Sequence, residues 1–376
     1  VGLIAIDARN VRQGQTTGLG RVALNLIRHI AALDDQHEYL LIQRTDLEAP
    51  IVSSPRFRAI YLPYDIASIR NYFRFGRVIA RYRPTVYHSL HSFLPLDMPK
   101  NIKTVVTVPD FNWIQRPAIA GKTALRGWLS SLHGKPMHAY SIKIADQVVC
   151  ISHQTKKDLF ALYPHTTTPV SVAHLGVDTE ALRIGPVRPE ITRYTESRFI
   201  LSIGSGRASK NPEGTIRAFA HLIGRPGYED IRLLMVGRID ALPKLHMLVQ
   251  KLGLEDDVDF TGMVSDAELA WLMTHALLLS FPSFWEGFGL PVIEAFALGC
   301  PVIASDISAL TEVAGGAAWM IKNPHNVDEL FQGMQTIIDD KNIRDRLIQD
   351  GLRKAASFTW EASARSYLDL YHYLCE

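Results

Sequence analysis

The chain has 376 residues, 47% hydrophobic and 21% charged, with 40 Lys+Arg against 38 Asp+Glu. That balance excludes a disordered or fibrous chain, and the length allows two or three domains. No segment is long and apolar enough to read as membrane-spanning. The opening residues read as a strand rather than a secretory leader. Cys150, Cys300 and Cys375 are far apart and suggest neither a disulfide framework nor a zinc site, so a reducing cytoplasm is expected. The net charge of +2 hides an asymmetry. Residues 1–185 hold 22 Lys+Arg against 13 Asp+Glu, a net +9, and the remainder holds 18 against 25, a net −7. This is either ordinary solubility charge or a first half that faces something anionic.

In chain order, short apolar runs predict strands at 3–6, 39–43, 59–62, 86–89, 103–108, 147–151 and 170–173. A helix is predicted from 20 to 33, with Val22, Leu26, Ile30 and Leu33 on one face. The pattern breaks at 176–198, which is polar, carries two prolines and has no periodicity, and reads as a linker. Alternation restarts with strands at 199–204, 232–236, 258–261, 277–281 and 302–304. Helices follow near 213–222, 245–252, 266–274, 290–298, 327–339, 343–356 and 360–373. Such alternation implies two α/β, Rossmann-like doubly wound domains. The ligand is expected in the cleft between them, outside the carboxyl ends of the strands. The expected boundaries are 1–178, a linker over 179–197, 198–358, and a final helix at 359–376 that packs back toward the first domain.

The stretch 281–306 is the most informative. A buried strand stops at Pro282 and Ser283, a glycine turn Gly287, Phe288, Gly289 follows, and Pro291 suits the first turn of a helix. Free N–H groups at such a helix start form an anion site, and Glu286 and Glu294 flank it. Unrelated surface carboxylates are the bland alternative, but Trp285, Phe288, Leu290 and Ile293 make the region apolar. A second glycine loop, Gly204 and Gly206 with Arg207, Lys210 and Asn211, suits diphosphate oxygens and lacks the flanking residues of a Walker loop. Near the start, Thr16, Thr17, Gly18, Gly20 and Arg21 open the first helix. The dinucleotide spacing there is imperfect, and Gln43 and Arg44 stand where an acid is due, which argues against NAD. Asp257 and Asp259 form a D-x-D pair, but they lie in an acidic run that reads as a solvated strand start with Val258 inward; no metal is expected.

A basic stretch spans 69–83, where Arg70, Arg74, Arg77 and Arg81 share one helical stripe. From 66 to 145 there are 12 Lys+Arg and two acids, Lys122, Arg126, Lys135 and Lys143 among them, with Trp128 interleaved. The region covers 70–83 as a candidate surface for anionic lipid, against the alternative of a solvated helix over its own core. No base-reading or stacking module is recognisable, so no nucleic acid is expected.

Assembled, these residues resemble glycosyltransferase family 4, the retaining sugar transferases of GT-B fold, over nearly the whole chain. The most specific match is Glu286 and Glu294, separated by seven residues that include Gly287, Gly289 and Pro291. Gly18, Gly20 and Arg21, Lys210 and Asn211, Gly237 and Arg238, Met263 and Val264, and Asp306 through Glu312 also match in order. The resemblance implies that Glu286 contacts the donor hexose and Glu294 the ribose. It implies that the amides of Gly287, Phe288, Gly289 and Leu290 position sugar and diphosphate. Lys210, with Arg207, would hold phosphates, Gly18 and Gly20 would approach the donor phosphate, Arg238 would add a donor contact, and Val264 would flank the base. Glu286, Lys210 and Asp110 are the implied catalytic residues. No cofactor is implied beyond the nucleoside diphosphate sugar itself, GDP-mannose or a UDP-sugar.

Two departures stand out. Pro109 occupies the place of the family's histidine before Asp110, so Asp110, His88 or His91 takes its role or the role is absent. Ser205 and Gly204 stand where a basic residue is common, with Arg207 as substitute. The expected reaction is hexose transfer, mannose from GDP-mannose first, with retention, to a glycan or polyprenyl-diphosphate-linked acceptor in polysaccharide biosynthesis. The expected place is the cytoplasm, peripheral to the inner face of the membrane. The alternatives are a sugar-nucleotide epimerase or hydrolase of the same fold, or an inactive sugar-binding subunit.

Overall fold

The structure is a computed structural model. It describes all residues except 1, 13–17, 65, 67, 117–123, 184, 205 and 239–242, with backbone alone at 69, 124–133, 181 and 195. Thr16, Thr17, Lys122, Ser205 and the side chains of Arg126 and Trp128 therefore lie outside the described residues. The chain forms two compact units, Val1–Gly176 with Thr359–Glu376, and Val177–Phe358.

The first unit contains β1 (Leu3–Asp7), β2 (Glu38–Arg44), β3 (Phe57–Leu62), β4 (Val86–Ser89), β5 (Lys103–Val108), β6 (Gln147–Cys150) and β7 (Val170–Val172). All pair in parallel in the order β3-β2-β1-β4-β5-β6-β7. Ile4, Ala5 and Ile6 are fully buried, as expected of a central parallel strand covered on both faces. The final helix, Trp360–Cys375, belongs to this unit and is built into its core through Tyr367 and Tyr371. Gly176 makes room for that helix: a Cβ there would lie 2.1 Å from the Trp360 amide nitrogen.

The second unit contains β8 (Arg198–Ile203), β9 (Ile231–Val236), β10 (Val258–Gly262), β11 (Leu278–Phe281), β12 (Val302–Ser305) and β13 (Trp319–Ile321). They are parallel in the order β10-β9-β8-β11-β12-β13. In both sheets the first strand sits between the second and fourth, so the winding reverses beside it. The carboxyl ends of β1 and β4, and of β8 and β11, are the two switch points where doubly wound sheets bind ligands.

The structure differs from expectation in several places. The stretch 179–197, expected as a linker, packs as part of the second unit in two short helices, Thr179–Leu182 and Pro189–Thr192, and a 3-10 turn, Arg193–Glu196. Leu182, Ile191 and Tyr194 enter the core irregularly, so no period announces them. Arg188 pairs with Glu268, whose other hydrogen bonds close a capping box on helix Asp266–His275. Helix Ala124–Ile144 has no counterpart among the predicted elements, because it carries Pro136 and lacks an apolar stripe. Strand β13 was also not predicted, being only three residues long.

Candidate active site

At the switch point of the second sheet, the β8 loop supplies Lys210 and the β11 loop Glu286. The Lys210 ammonium and the Glu286 carboxylate form an ion pair, with only 16% and 11% of their side chains exposed. The ammonium also lies 4.6 Å from the centre of the Phe281 ring, a cation–π contact at the end of β11. Gly204, at φ +83, leaves room for the lysine stem: a Cβ there would lie 3.0 Å from Lys210 Cγ. The loops are tied by the Phe284 N–H, which donates to the Ser209 carbonyl at 2.8 Å. Glu286 is fixed further by Ser308, which accepts from its N–H and donates to its carbonyl, both at 3.0 Å.

Asn211 sets the direction of the Lys210 loop. It is left-handed, at φ 53, caps helix Pro212–Ile223 by accepting from the Gly214 N–H, and donates to the Pro324 carbonyl at 2.6 Å. On the other loop, Gly289 at φ +110 starts helix Leu290–Ala297 with no side-chain cap, and a Cβ there would press on Leu310 at 2.7 Å. The amino end of that helix is thus built from backbone, with Pro291 in its first turn. Glu294 is 3% exposed on the same helix, and Phe288 is buried edge-on against Phe358. Arg207 is exposed. Arg238 reaches the same end of the sheet: a Cβ on Gly206 would lie 2.6 Å from its carbonyl oxygen. Beyond β10, Val264 packs on the core while Met263 is 57% exposed. Asp259 is ion-paired with Arg232 at 2.7 Å and Arg193 at 3.8 Å.

In the first unit, Gly18 and Gly20 open helix Gly18–Leu33. Gly18 faces open space, whereas Gly20 is buried. Asp110 follows β5, and its Oδ1 accepts from the Asn112 N–H at 2.9 Å. The three substitutes considered for the missing histidine separate clearly. His88 is fully buried, with Nδ1 2.6 Å from the Tyr371 hydroxyl and Nε2 2.7 Å from Thr107 Oγ1; burial pushes its pKa down to about 3. It is a neutral core residue that ties β4, β5 and the last helix together.

His91, by contrast, belongs to a network at the β1/β4 switch point that sequence reasoning missed. Its Nε2 is 2.9 Å from Asp7 Oδ2, and its Nδ1 is buried without a partner among the described residues. Arg9 donates to both oxygens of Asp7 at 2.8 and 2.6 Å, and to Asn71 at 2.6 Å, and Tyr87 donates to Asp7 at 3.1 Å. Burial alone would raise the Asp7 pKa. The Arg9 guanidinium, its hydrogen bonds and His91 outweigh it and hold the carboxyl far below the usual range. Of this network the sequence pointed to His91 alone, as a stand-in for the missing histidine; Asp7, Arg9 and Tyr87 were not singled out.

Two family models cover the chain: Glycosyltransferase Family 4 matches residues 16–181, and Glycosyl transferases group 1 matches 186–354. The O-antigen chain mannosyltransferase B of Escherichia coli is 24% identical over 377 residues, covering 95% of this chain and 96% of that protein. The MMP alpha-(1->4)-mannosyltransferase of Mycolicibacterium hassiacum is 28% identical over 272 residues, 71% and 61% of the two chains. Among solved structures, the sucrose-phosphate synthase of Thermosynechococcus elongatus superposes with a TM-score of 0.80 at 22% identity, covering 99% and 98%. Anabaena HepE in complex with UDP and glucose superposes at 0.73 and 16% identity, covering 99% and 100%. The two models, one on each half, and the two doubly wound sheets lead to one conclusion: the chain belongs to the family 4 glycosyltransferases and has their GT-B fold.

Proposed function

We propose that this glycosyltransferase moves mannose from GDP-mannose, with retention of configuration, onto a glycan or polyprenyl-diphosphate-linked acceptor in polysaccharide synthesis. The observation that carries the reading is the Lys210–Glu286 pair at the second switch point. In this pair each ion neutralises the other. A donor diphosphate competes for the Lys210 ammonium, and the carboxylate so released is free to accept hydrogen bonds from hexose hydroxyls. Cleavage of the sugar–phosphate bond builds charge on the leaving diphosphate. A fixed cation and helix-start amides at Gly287, Phe288, Gly289 and Leu290 lower the barrier there. Arg207, Arg238, Gly18 and Gly20 add phosphate contacts, Glu294 meets the ribose, and Val264 flanks the base. In the first unit, Asp110 and His91 take the sugar-facing role, since both ring nitrogens of His88 are already engaged.

Mannose is favoured over other hexoses by the two mannosyltransferases among the relatives, one of which aligns over 95% of this chain. The deciding experiment assays a panel of nucleotide sugars for nucleoside diphosphate release with a lipid-linked glycan acceptor, and assigns the anomer of the product by NMR. GDP release with GDP-mannose that depends on acceptor, and an α-linked product, are expected. Turnover confined to a UDP-sugar would reject mannose, and donor consumption without acceptor would point to a hydrolase.

The same reading places the enzyme at a membrane surface. Arg70, Arg74, Arg77 and Arg81 are exposed along helix Ile69–Ala80 and its C-cap, beside Phe73 at 58% exposure. An exposed aromatic amid cations suits anionic headgroups. Among the described residues no helix is long and apolar enough to cross a membrane.

A further inference from the structure

One cluster of ligating side chains in the first unit lies outside the residues assigned above to sugar transfer. Helix Gly18–Leu33 ends just before Asp34, and the chain turns through His37 into β2. The buried Asp34 carboxylate accepts from the Tyr39 hydroxyl, from the Gln36 N–H at 2.9 Å and from the His37 N–H at 3.3 Å. Burial pushes its pKa up, but these hydrogen bonds and His37 outweigh it and keep the group ionised. The His37 Nδ1 stands 3.1 Å from Asp34 Oδ2. Burial, opposed by Asp34 and aided by His372, lowers the His37 pKa from its ordinary value. His372 comes from the final helix, its ring 4.6 Å from that of His37. Its Nε2 is buried and has no hydrogen-bond partner among the described residues. One ligand atom from each of the three residues lies within 4.8 Å of the other two.

We propose that Asp34, His37 and His372 form a site for Zn²⁺, or a divalent metal of the same ligand preference, that clips the final helix to the turn before β2. Two imidazoles and a carboxylate suit this class and not magnesium or calcium, which take oxygen ligands. The 3.1 Å between His37 Nδ1 and Asp34 Oδ2 is close to the edge, about 3.3 Å, of a tetrahedron with ligand bonds of about 2.0 Å. A metal would replace the proton these atoms share and would satisfy the orphaned His372 nitrogen. The Tyr39 hydroxyl stays on the carboxylate as an orienting partner. Functionally the clip is structural: residues 37 and 372 enclose the chain's whole excursion through the second unit, so closing it fixes the returning segment on the first.

The test uses the intact chain, stripped with chelator and dialysed, then titrated with ZnCl₂ by calorimetry and with CoCl₂ by visible absorption. One equivalent of zinc is expected to bind with a Kd in the micromolar range or tighter. Zinc should raise Tm, EDTA should reverse the rise, and cobalt should give a four-coordinate spectrum. His372→Phe keeps the ring stack, and together with the separate variant Asp34→Asn it should weaken that equivalent at least tenfold. Circular dichroism checks that each variant is folded. No bound equivalent in the wild-type chain, or the same stoichiometry and Kd in both folded variants, would overturn the site.

Discussion

At the residue scale, Lys210 and Glu286 form the pair on which transfer chemistry is expected to depend. Lys210→Ala removes the cation proposed to meet the leaving diphosphate and should cost about 10²–10³ in kcat. Glu286→Gln keeps the shape and loses the charge, and should also cut kcat. Each variant breaks a mostly buried ion pair and can lower Tm, so circular dichroism checks that it is folded; undiminished diphosphate release in both variants would refute the site. His138 makes a different prediction. It is fully buried among Phe93, Phe111 and Trp113, both ring nitrogens lack partners among the described residues, and burial pushes its pKa down to about 3. Between its ordinary 6.5 and about 3 the unfolded chain binds a proton that the folded one refuses. Stability is therefore lost as pH falls through that window, by up to about 1.4 kcal/mol per pH unit for each such group. His88 behaves alike. His138→Phe should stabilise the first unit by about 1–3 kcal/mol and flatten its pH dependence, measured by urea unfolding at pH 7 and pH 5. An unchanged slope would contradict this.

At the scale of elements, two short segments orient much larger ones. Asn211 holds a left-handed backbone, caps a helix and bonds to the Pro324 carbonyl, all beside Lys210. Asn211→Ala loses the cap and keeps the unfavourable φ, together costing about 2–3 kcal/mol, and should weaken donor binding through the displaced Lys210 loop. Asn211→Gly relieves the φ and restores part of the stability. Equal Tm for the two variants would argue against the backbone account. The segment through Arg188 acts on pH instead. The Glu268 carboxyl is pulled down to about 2, first by its hydrogen bonds to the Arg188 side chain, against desolvation, and then by backbone amides. Its folded pKa lies below the unfolded 4.5, so its contribution is present above pH 4.5 and is lost as pH falls toward 2. Glu268→Gln should remove that part of the acid transition of the second unit, read by tryptophan fluorescence between pH 5 and pH 2.

At the scale of the molecule, the charge asymmetry of the chain has a surface expression in the arginine stripe. Replacing Arg70, Arg74 and Arg81 with Ser removes about 3 kcal/mol of attraction to anionic lipid, on the order of a hundredfold in partitioning. Cosedimentation with phosphatidylglycerol vesicles at low salt should show this loss. Wild-type protein left in the supernatant would retire membrane attachment. Arg77 is left out because it lies 3.9 Å from Asp97 and is partly neutralised.

Much of the architecture was legible locally. A parallel strand buried on both faces is a short apolar run, and a covering helix is an apolar stripe, so most elements appear within a residue or two of their places. Gly289 and Pro291 likewise mark a helix start by their own conformational limits. Helix Ala124–Ile144 and the folded segment 179–197 escaped because packing against neighbours, not periodicity, holds them in place. The sites lay further out of reach. Lys210 and Glu286 are 76 residues apart, and Asp7 and His91 are 84 apart. Each pair meets only because the strand order sets β11 beside β8 and β4 beside β1. By itself the sequence determined which segments are strands, helices and glycine turns, since those follow from hydrophobic period and backbone freedom. Only the tertiary structure decided which polar groups share a buried, low-dielectric spot, because burial and pairing belong to neighbours in space and not along the chain.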